Sequence, residues 1–304
     1  MARIKSQFDL VSLIERFNSE EKCREYLAAI RWPDGVECPR CSNKSVSRIK
    51  ERDQYDCNSC RYQFSVRAGT IFHDSHLPLW KWFLAVYLII ESKKGVSANQ
   101  ISRTLKVAYK TAWYLCHRIR AAMKETEPEL LKGIVEVDET YIGGTMHGRG
   151  RRYVGNKATV VGAVERGDGR IRLKMIAKTN RATLHKFIRD NVEPTAEAIY
   201  TDQLPAYLGI ADEDTRHETV NHTIKQWVQG DVHTNTIENV WSLFKRSIIG
   251  SYHKLSVKHL DAYLDEMEFR FNNRTNPFLF RDTMQRLIAS SNLEYKTLTQ
   301  EQPQ

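Results

Sequence analysis

The chain has 304 residues; its apolar fraction of 41% is enough to bury a core, and its aromatic fraction of 10% argues against a disordered protein. It carries 46 Lys and Arg against 37 Asp and Glu, and the net charge of +9 favours a polyanionic partner, nucleic acid above all. The longest apolar stretch, residues 79–90, is too short to span a bilayer, and residues 1–10 are too polar for a signal peptide. We therefore expect two or three domains, a cytoplasmic location and no membrane association.

A helical segment over residues 1–35 is predicted to precede a metal site. Four of the six cysteines form two C-x2-C pairs separated by fifteen residues: Cys38 with Cys41, and Cys57 with Cys60. In a reducing cell this spacing indicates zinc, whereas the alternative is a chance cluster of buried thiols. Each pair directs two thiolates at one point, and two pairs complete a tetrahedral site. The sequence thus predicts a ribbon over residues 36–68 with one structural Zn²⁺.

Residues 69–127 have the pattern of a helix-turn-helix domain. A first helix, capped by Ser97, is followed by a short turn and by a second helix with an apolar stripe. The other side of the second helix carries polar and basic side chains: Tyr109, Lys110, Tyr114, His117 and Arg118. A recognition helix needs such side chains free to meet bases and phosphates, so Tyr109, Lys110 and Arg118 are candidate DNA contacts. The alternative is a helical hairpin with a solvated basic face, and the position after a zinc ribbon favours DNA binding.

Beyond residue 128 the periodicity changes from that of helices to that of strands. The predicted strands cover residues 134–138, 158–164, 171–177, 196–201 and 217–222, with helices over residues 182–191 and from residue 234 onward. This order describes a mixed sheet flanked by helices, which we assign to residues 130–291, followed by a disordered tail over residues 292–304. A basic, glycine-rich loop after the first strand contains three further candidate DNA contacts: Arg149, Arg151 and Arg152.

Three acids stand at the ends of these elements, where they could converge. Asp138 lies on the first strand, Asp202 closes the fourth strand, and Glu238 lies in the first turns of a later helix, with thirty-five residues between Asp202 and Glu238. Carboxylates are the hard oxygen ligands that Mg²⁺ prefers, and two such ions can activate the attacking oxygen and steady the leaving one. The pattern therefore predicts a two-ion site for phosphoryl transfer.

The helix that carries Glu238 also presents a cation. Lys245 follows Glu238 by seven residues, so both lie on one face two turns long, with Trp241 and Ser242 between them. A DNA phosphate could span the ridge that we expect between the acid and the lysine. The alternative is an acid and a base on a solvated helix face.

Six stretches resemble a known family: RWPDGVECPRC, CRYQFSVRAGTIFHDSHLPLWKWFLAVYL, KTAWYLCHRIRAAM, VEVDETYIGG, YTDQLPAY and HTNTIENVWSLFKRSIIGSYHKLSVKHLDAYLDEMEFRFNNR. They are similar to the zinc-ribbon, helix-turn-helix, DDE-type transposases of bacterial insertion sequences, the ISXO2-like group related to eukaryotic Merlin elements. The resemblance implies an RNase H-like core in which Asp138, Asp202 and Glu238 bind Mg²⁺, and a contact between Lys245 and the transposon end.

The resemblance leaves a choice at the third acidic position. Some relatives use Asn there, and Asn235 lies close by. Glu238 is preferred because it keeps the lysine spacing, with Asn235, His233 and Trp241 as supporting residues.

The resemblance implies a DNA transposase. We expect the ribbon and the helix-turn-helix to bind the terminal inverted repeats of the element. The core, with two Mg²⁺ or Mn²⁺ ions, would then free a 3′-OH and join it to target DNA. Two ends must be held together, so a homodimer or larger assembly is expected on double-stranded DNA. Two alternatives remain, a DNA-binding regulator with an inactive core and another nuclease of the same fold, such as a resolvase or an RNase H.

Overall fold

The computed structural model describes residues 8–143, 157–167, 169–211, 214–220, 228 and 230–300. The chain divides into two compact units, which we call the N-terminal unit (Met1–Met123 with Thr275–Gln304) and the core unit (Lys124–Arg274). Within the described residues, no helix is both long enough and apolar enough to cross a bilayer.

The N-terminal unit begins with two capped helices, α1 (Leu10–Arg16) and α2 (Glu20–Arg31). Asp9 accepts a hydrogen bond from the backbone N–H of Ser12 at 2.8 Å, and the N-cap Ser19 accepts one from Lys22 at 3.3 Å. Such caps satisfy backbone donors that the first turn of a helix leaves without partners. The helical segment predicted from the apolar stripe is therefore present as two helices.

A small antiparallel sheet follows, with strands β1 (Val46–Ile49), β2 (Gln54–Cys57) and β3 (Gln63–Phe64) in that order. Its apolar contacts are aromatic: the ring of Trp32 lies 5.5 Å from Tyr55 and 6.0 Å from Phe64. Three rings make a very small core, so a ribbon of this kind depends on its metal for much of its folding free energy.

Three helices complete this part of the chain: α3 (Leu79–Ile90), α4 (Ala98–Leu105) and α5 (Tyr109–Ala121). Ser97 caps α4 by accepting from the backbone N–H of Gln100 at 3.1 Å, as the sequence predicts. Lys106, with φ 49°, ends α4 in the left-handed conformation, and α5 starts three residues later. The predicted helix-turn-helix pair is thus formed by α4 and α5.

The core unit is built on a five-stranded mixed sheet in the order β6-β5-β4-β7-β8. Its strands are β4 (Ile134–Ile142), β5 (Ala158–Glu165), β6 (Ile171–Ile176), β7 (Ala198–Asp202) and β8 (Arg216–Val220). Neighbours among β4, β5 and β6 are antiparallel, whereas β4, β7 and β8 run parallel. This is an RNase H-like sheet and confirms the predicted fold class. The last two residues of the predicted strand 217–222 lie outside the described residues.

Helices cover both faces of this sheet and pack apolar side chains against it. On one face, α6 (Arg181–Asn191) packs Leu184 and Phe187 against valines of β4 and β5. On the other face lie α7 (Asn235–Ser247) and α8 (Leu260–Asn272), and Val240 of α7 is fully covered there. Because β4 is central and covered on both sides, its polar side chains are shielded from water, and Asp138 in the middle of the strand is half-buried.

The boundary of the core differs from the prediction. The sequence predicts a core over residues 130–291, whereas α9 (Leu279–Ala289) belongs to the N-terminal unit. Phe280 of α9 lies 6.0 Å from the ring of Phe17 and 5.9 Å from that of Phe83. The prediction was wrong because an apolar stripe indicates that a helix face is buried without indicating its partner, and here the partners lie in the first ninety residues of the chain.

The predicted disordered tail, residues 292–304, is also incorrect for its described part. Residues up to 300 are described and include α10 (Tyr295–Thr299). The ring of Tyr295 lies 5.4 Å from that of Tyr114 on α5, so an aromatic contact holds this segment. Residues 301–304 lie outside the described residues.

Candidate active site

Asp138 and Asp202 lie side by side on neighbouring strands. The parallel pairing of β4 with β7 sets Glu136 opposite Tyr200, so each acid follows two residues later on the same face of the sheet. Burial raises the pKa of Asp138 to about 7, and the nearby charges of Glu139 and Asp202 act in the same direction. Carboxylates forced together in this way repel one another until a cation is bound, so the donor set fits a hard divalent metal.

Trp241 of α7 fixes the orientation of Asp138. Its indole Nε1 donates a hydrogen bond to Asp138 Oδ2 at 3.0 Å, and the side chain is only 4% exposed. The indole lies over Gly162, which pairs with Asp138 across β4 and β5. A Cβ on Gly162 would lie 2.5 Å from Trp241 Cη2, so the close approach of the ring requires glycine at this position. The sequence interpretation placed Trp241 on an exposed ridge, and this was wrong because its ring faces the sheet.

Glu238 is exposed in the first turn of α7, three residues before Trp241. The hydroxyl of Thr234 donates to Glu238 Oε1 at 3.4 Å. Among the described residues, only the four cysteines bring three or more Cys, His, Asp or Glu ligand atoms within 4.8 Å of one another. The structure thus brings Asp138 and Asp202 together, but the three acids do not form a cluster of this kind among the described residues. Glu238 lies one helical turn before Trp241, the residue that contacts Asp138.

Two side chains near these acids were missed by sequence reasoning. Glu139 accepts a hydrogen bond from the buried Tyr207 hydroxyl at 2.6 Å, and burial raises the pKa of Glu139. Its neighbour Asp202 raises that pKa further, so Glu139 belongs to the same cluster of negative charge. The sequence did offer a signal for Glu139, since it directly follows Asp138 in VEVDET. Successive side chains of a strand point to opposite faces, however, so the pattern favoured only one of the two acids as a metal ligand.

Glu136 is the other residue that sequence reasoning missed. It is fully buried and accepts hydrogen bonds from Arg166 and from the first turn of α7. His233, predicted as a supporting residue, lies in this network, with Nδ1 3.2 Å from Glu136 Oε1 and 2.7 Å from Arg166 Nη2. Asn235, another predicted supporting residue, is exposed as the first residue of α7.

The predicted DNA contacts have three different outcomes. Lys245 is exposed in the last turn of α7, and Tyr109 is 53% exposed at the start of α5. Lys110 is also exposed, with its Nζ 4.5 Å from the ring of Tyr295. The side chains of these three residues are thus available to a partner. The predicted contacts in the basic loop, Arg149, Arg151 and Arg152, lie outside the described residues.

Arg118 was wrongly assigned to the exposed face of α5. It is 3% exposed and donates hydrogen bonds to the backbone oxygen of His73 at 2.7 Å and to Asn292 Oδ1 at 2.9 Å. Its guanidinium also lies 5.1 Å from the centre of the Trp82 ring. Helix α5 is buried on two sides, because both α3 and the C-terminal segment contact it. The apolar stripe in the sequence indicates only one of these buried sides. Arg118 therefore supports the packing of the unit.

The four cysteine thiols are brought together as predicted. Cys38 Sγ lies 3.6 Å from Cys60 Sγ, and Cys41 Sγ lies 3.5 Å from Cys57 Sγ. Tetrahedral zinc with bonds of ~2.3 Å places its sulfurs about 3.8 Å apart, so these distances fit the ion. The result confirms a four-cysteine zinc ribbon.

The two knuckles of the ribbon have the same backbone geometry. The residue four positions after the first cysteine of each pair is left-handed, Ser42 with φ 56° and Arg61 with φ 57°. Each donates its backbone N–H to the carbonyl of that cysteine, at 2.8 and 2.9 Å. Repetition of one turn at both pairs explains why the C-x2-C spacing directs the thiolates to a common point.

Two family models match the chain, that of an ISXO2-like transposase domain over residues 130–272 and that of a transposase zinc-ribbon domain over residues 18–63. A protein of Halobacterium salinarum, described as an uncharacterized protein in transposable element ISH50, is 31% identical over 276 residues, which cover 84% of this chain and 92% of that protein. An uncharacterized transposase-like protein of Haemophilus influenzae is 29% identical over 99 residues, 33% of this chain and 78% of that protein.

Two solved structures also align with the chain. The HTLV-2 integrase catalytic core domain in complex with magnesium aligns with a TM-score of 0.28 and 14% identity, covering 47% of this chain and 86% of that one. The Mos1 transposase in a paired-end complex with the left transposon end aligns with a TM-score of 0.28 and 12% identity, covering 66% and 77%.

Proposed function

Because the chain belongs to the ISXO2-like transposase family, we propose that it cleaves DNA at the ends of a mobile element and joins the freed ends to target DNA. The observation that carries this proposal is the pair of neighbouring carboxylates, Asp138 in the middle of β4 and Asp202 at the end of β7, held in half-buried positions with the pKa of Asp138 raised to about 7. Placing two carboxylates together in partly buried positions costs folding free energy, and such arrangements cluster at functional sites. Because the proposed substrate is DNA, we expect the protein to act in the cytoplasm.

Asp138, Asp202 and Glu238 would hold two Mg²⁺ or Mn²⁺ ions, since all three supply hard oxygen donors. When bound, such ions supply activation of the attacking oxygen and neutralisation of charge on the phosphate. Trp241 keeps one oxygen of Asp138 occupied by its N–H and so orients the other oxygen for the ligand. In cleavage, water would attack phosphorus in line and the P–O3′ bond would break, which frees the 3′-OH of the element. In joining, that 3′-OH would attack a target phosphate and the 3′-oxygen of the target strand would leave, so one arrangement of side chains serves both steps.

The N-terminal unit would recognise the DNA ends. Its zinc ribbon and the pair α4 and α5 offer exposed cations and aromatic side chains, and Tyr109 and Lys110 stand at the start of the second helix, where a recognition helix meets bases. Lys245 would contact a phosphate near the cut. Joining two ends requires at least two copies of the chain on double-stranded DNA.

The test is cleavage and strand transfer on DNA that carries the inverted repeats flanking the gene. Asp138→Ala, Asp202→Ala and Glu238→Gln are each expected to abolish Mg²⁺-dependent cleavage and to leave binding of the repeats intact. Glu197→Gln is the matched control, because Glu197 is an exposed acid of the same unit paired only at the surface with Arg216. Binding without cleavage by the wild type would indicate a regulator, and cleavage without strand transfer would indicate another nuclease.

A further inference from the structure

Glu136 is a buried carboxylate on β4 that accepts hydrogen bonds from two elements at once. Its side chain is 0% exposed. Arg166, in the turn after β5, donates from Nε to Glu136 Oε1 at 2.6 Å. The first turn of α7 donates three more bonds: from Thr236 N at 2.8 Å, from Thr236 Oγ1 at 2.8 Å and from Ile237 N at 3.1 Å.

These bonds replace an ordinary helix cap. The N-cap residue of α7, Thr234, makes no side-chain capping bond to the helix backbone, and its hydroxyl donates to Glu238 instead. The backbone donors of the first turn are satisfied by Glu136 from the neighbouring strand, and a negative charge at this position also favours the helix dipole. The start of α7 is therefore attached to β4 through one carboxylate.

Each proposed metal ligand is preceded, two residues earlier, by a side chain of one connected group, which we call the supporting layer (Glu136, Thr236, Tyr200 and Arg166, which links them). Glu136 precedes Asp138 by two residues, Thr236 precedes Glu238 by two, and Tyr200, the strand partner of Glu136, precedes Asp202 by two. Arg166 connects this layer, because its guanidinium contacts Glu136 and lies 4.8 Å from the centre of the Tyr200 ring. It also donates to the backbone oxygens of residues 231 and 233, at 2.7 and 2.9 Å, in the segment that leads into α7.

We propose that Glu136 is a positioning residue: through Thr236, Ile237 and Arg166 it holds the first turn of α7, and with it Glu238, in register with Asp138 and Asp202. The inference rests on the proposed function, since it concerns how the three ligands are assembled. Charge-assisted hydrogen bonds to a buried acceptor are strong and directional, so they suit this role. Trp241 fixes the same helix one turn further on, and two attachments on successive turns determine both the position and the rotation of α7.

The experiment compares Glu136→Gln with the wild type in the full chain without DNA. Glutamine keeps the shape and one acceptor oxygen but loses the charge. We expect hydrogen exchange of a peptide covering the first turn of α7 to become about tenfold faster, because bonds to a charged acceptor are lost. We also expect the affinity for Mn²⁺, measured by calorimetry, to fall about tenfold, as is usual when a group that orients a metal ligand is changed.

The matched control is Glu165→Gln, in the next strand. Glu165 is 5% exposed, accepts from the backbone N–H of Lys132 at 2.8 Å and pairs with Arg170 at 3.1 Å, so it resembles Glu136 in burial and bonding. Its partners do not belong to α7, and we expect Mn²⁺ affinity and exchange of the first turn of α7 to remain at the wild-type values. Equal losses in both variants, or faster exchange in Glu136→Gln with unchanged Mn²⁺ affinity, would overturn the proposal.

A second variant keeps the proposal testable if Glu136→Gln does not fold. Thr236→Val removes only the hydroxyl bond to Glu136 and should shift exchange and Mn²⁺ affinity in the same direction by a smaller factor. No shift in either quantity would also overturn the proposal. Both readouts are obtained without DNA, so a failure of the wild type to cleave repeat ends would contradict the proposed function separately.

Discussion

Replacing Asp138 by Asn should stabilise the metal-free protein while it abolishes cleavage. Burial and the charges of Glu139 and Asp202 raise the pKa of Asp138 from 3.8 to about 7, so the ionised carboxylate destabilises the folded state. Asparagine has the same shape, carries no charge, and can still accept the Trp241 N–H through its amide oxygen. The substitution therefore removes the repulsion and keeps the packing.

The magnitude follows from the pKa difference. At about 1.36 kcal/mol for each pKa unit, a rise of roughly three units corresponds to about 4 kcal/mol of unfolding free energy lost when Asp138 is ionised. Asp138 is only partly buried and asparagine must also be desolvated, so we expect a gain of about 2 kcal/mol for Asp138→Asn at high pH. The folded chain binds more protons than the unfolded chain between about pH 4 and pH 7, and its stability falls as the pH rises through that window. The gain should accordingly be full above pH 7 and shrink towards pH 4.

The assay is urea denaturation of the full chain in EDTA at pH 8.5 and at pH 5. Asp190→Asn is the control, because Asp190 is an exposed acid on α6 paired with Lys186 and should change stability by less than ~0.5 kcal/mol at either pH. Added Mg²⁺ should stabilise the wild type and leave Asp138→Asn nearly unchanged. A loss of stability in Asp138→Asn at pH 8.5, or an equal gain at both pH values, would refute the reasoning.

Three further outcomes are expected. Gly162→Ala places a Cβ 2.5 Å from Trp241 Cη2 and should cost about 1–3 kcal/mol of unfolding free energy, whereas Gly250→Ala, whose Cβ meets nothing within 4 Å, should not; equal melting temperatures would contradict this. Metal analysis should find one zinc ion per chain. The Cys57→Ser variant should lose this zinc and bind transposon ends more weakly, while its core unit stays folded. Wild-type protein that is purified without bound zinc would exclude the zinc site. Lys245→Ala should reduce the slope of log affinity for transposon-end DNA against log salt concentration by about one unit. Equal slopes for the variant and the wild type would show that Lys245 is an ordinary surface charge.

Much of the fold was predictable because its signals are local. The C-x2-C pairs determine the zinc site, since each pair builds its own knuckle and needs only one partner of the same kind. Alternation in residues 134–138 and an acid at the end of the next parallel strand indicated the positions of Asp138 and Asp202. Those predictions depend on periodicity and on residue chemistry, both of which a sequence displays directly.

Tertiary structure decided which helix faces are buried and by what. Arg118 was predicted to meet DNA because its stripe on α5 is polar, yet Trp82 and the segment at Asn292 cover it. Similarly, α9 carries an ordinary amphipathic pattern, and only the folded chain assigns it to the N-terminal unit. Burial on a second side depends on residues far along the chain, so it leaves no periodic signal.

The supporting layer of the site lies beyond sequence reasoning for the same reason. Glu136 and Arg166 are thirty residues apart, and either one alone resembles an ordinary charged residue in a strand or a turn. Their role depends on the pairing of β4 with β7 and on the approach of α7, which brings Thr236 to Glu136 across one hundred residues. The sequence by itself determined the four cysteines of the zinc ribbon and the order of the elements, and it predicts the acids Asp138, Asp202 and Glu238, because these inferences follow from local chemistry. Only the tertiary structure decided what orients the acids, because a hydrogen bond between distant residues exists only once the chain has folded.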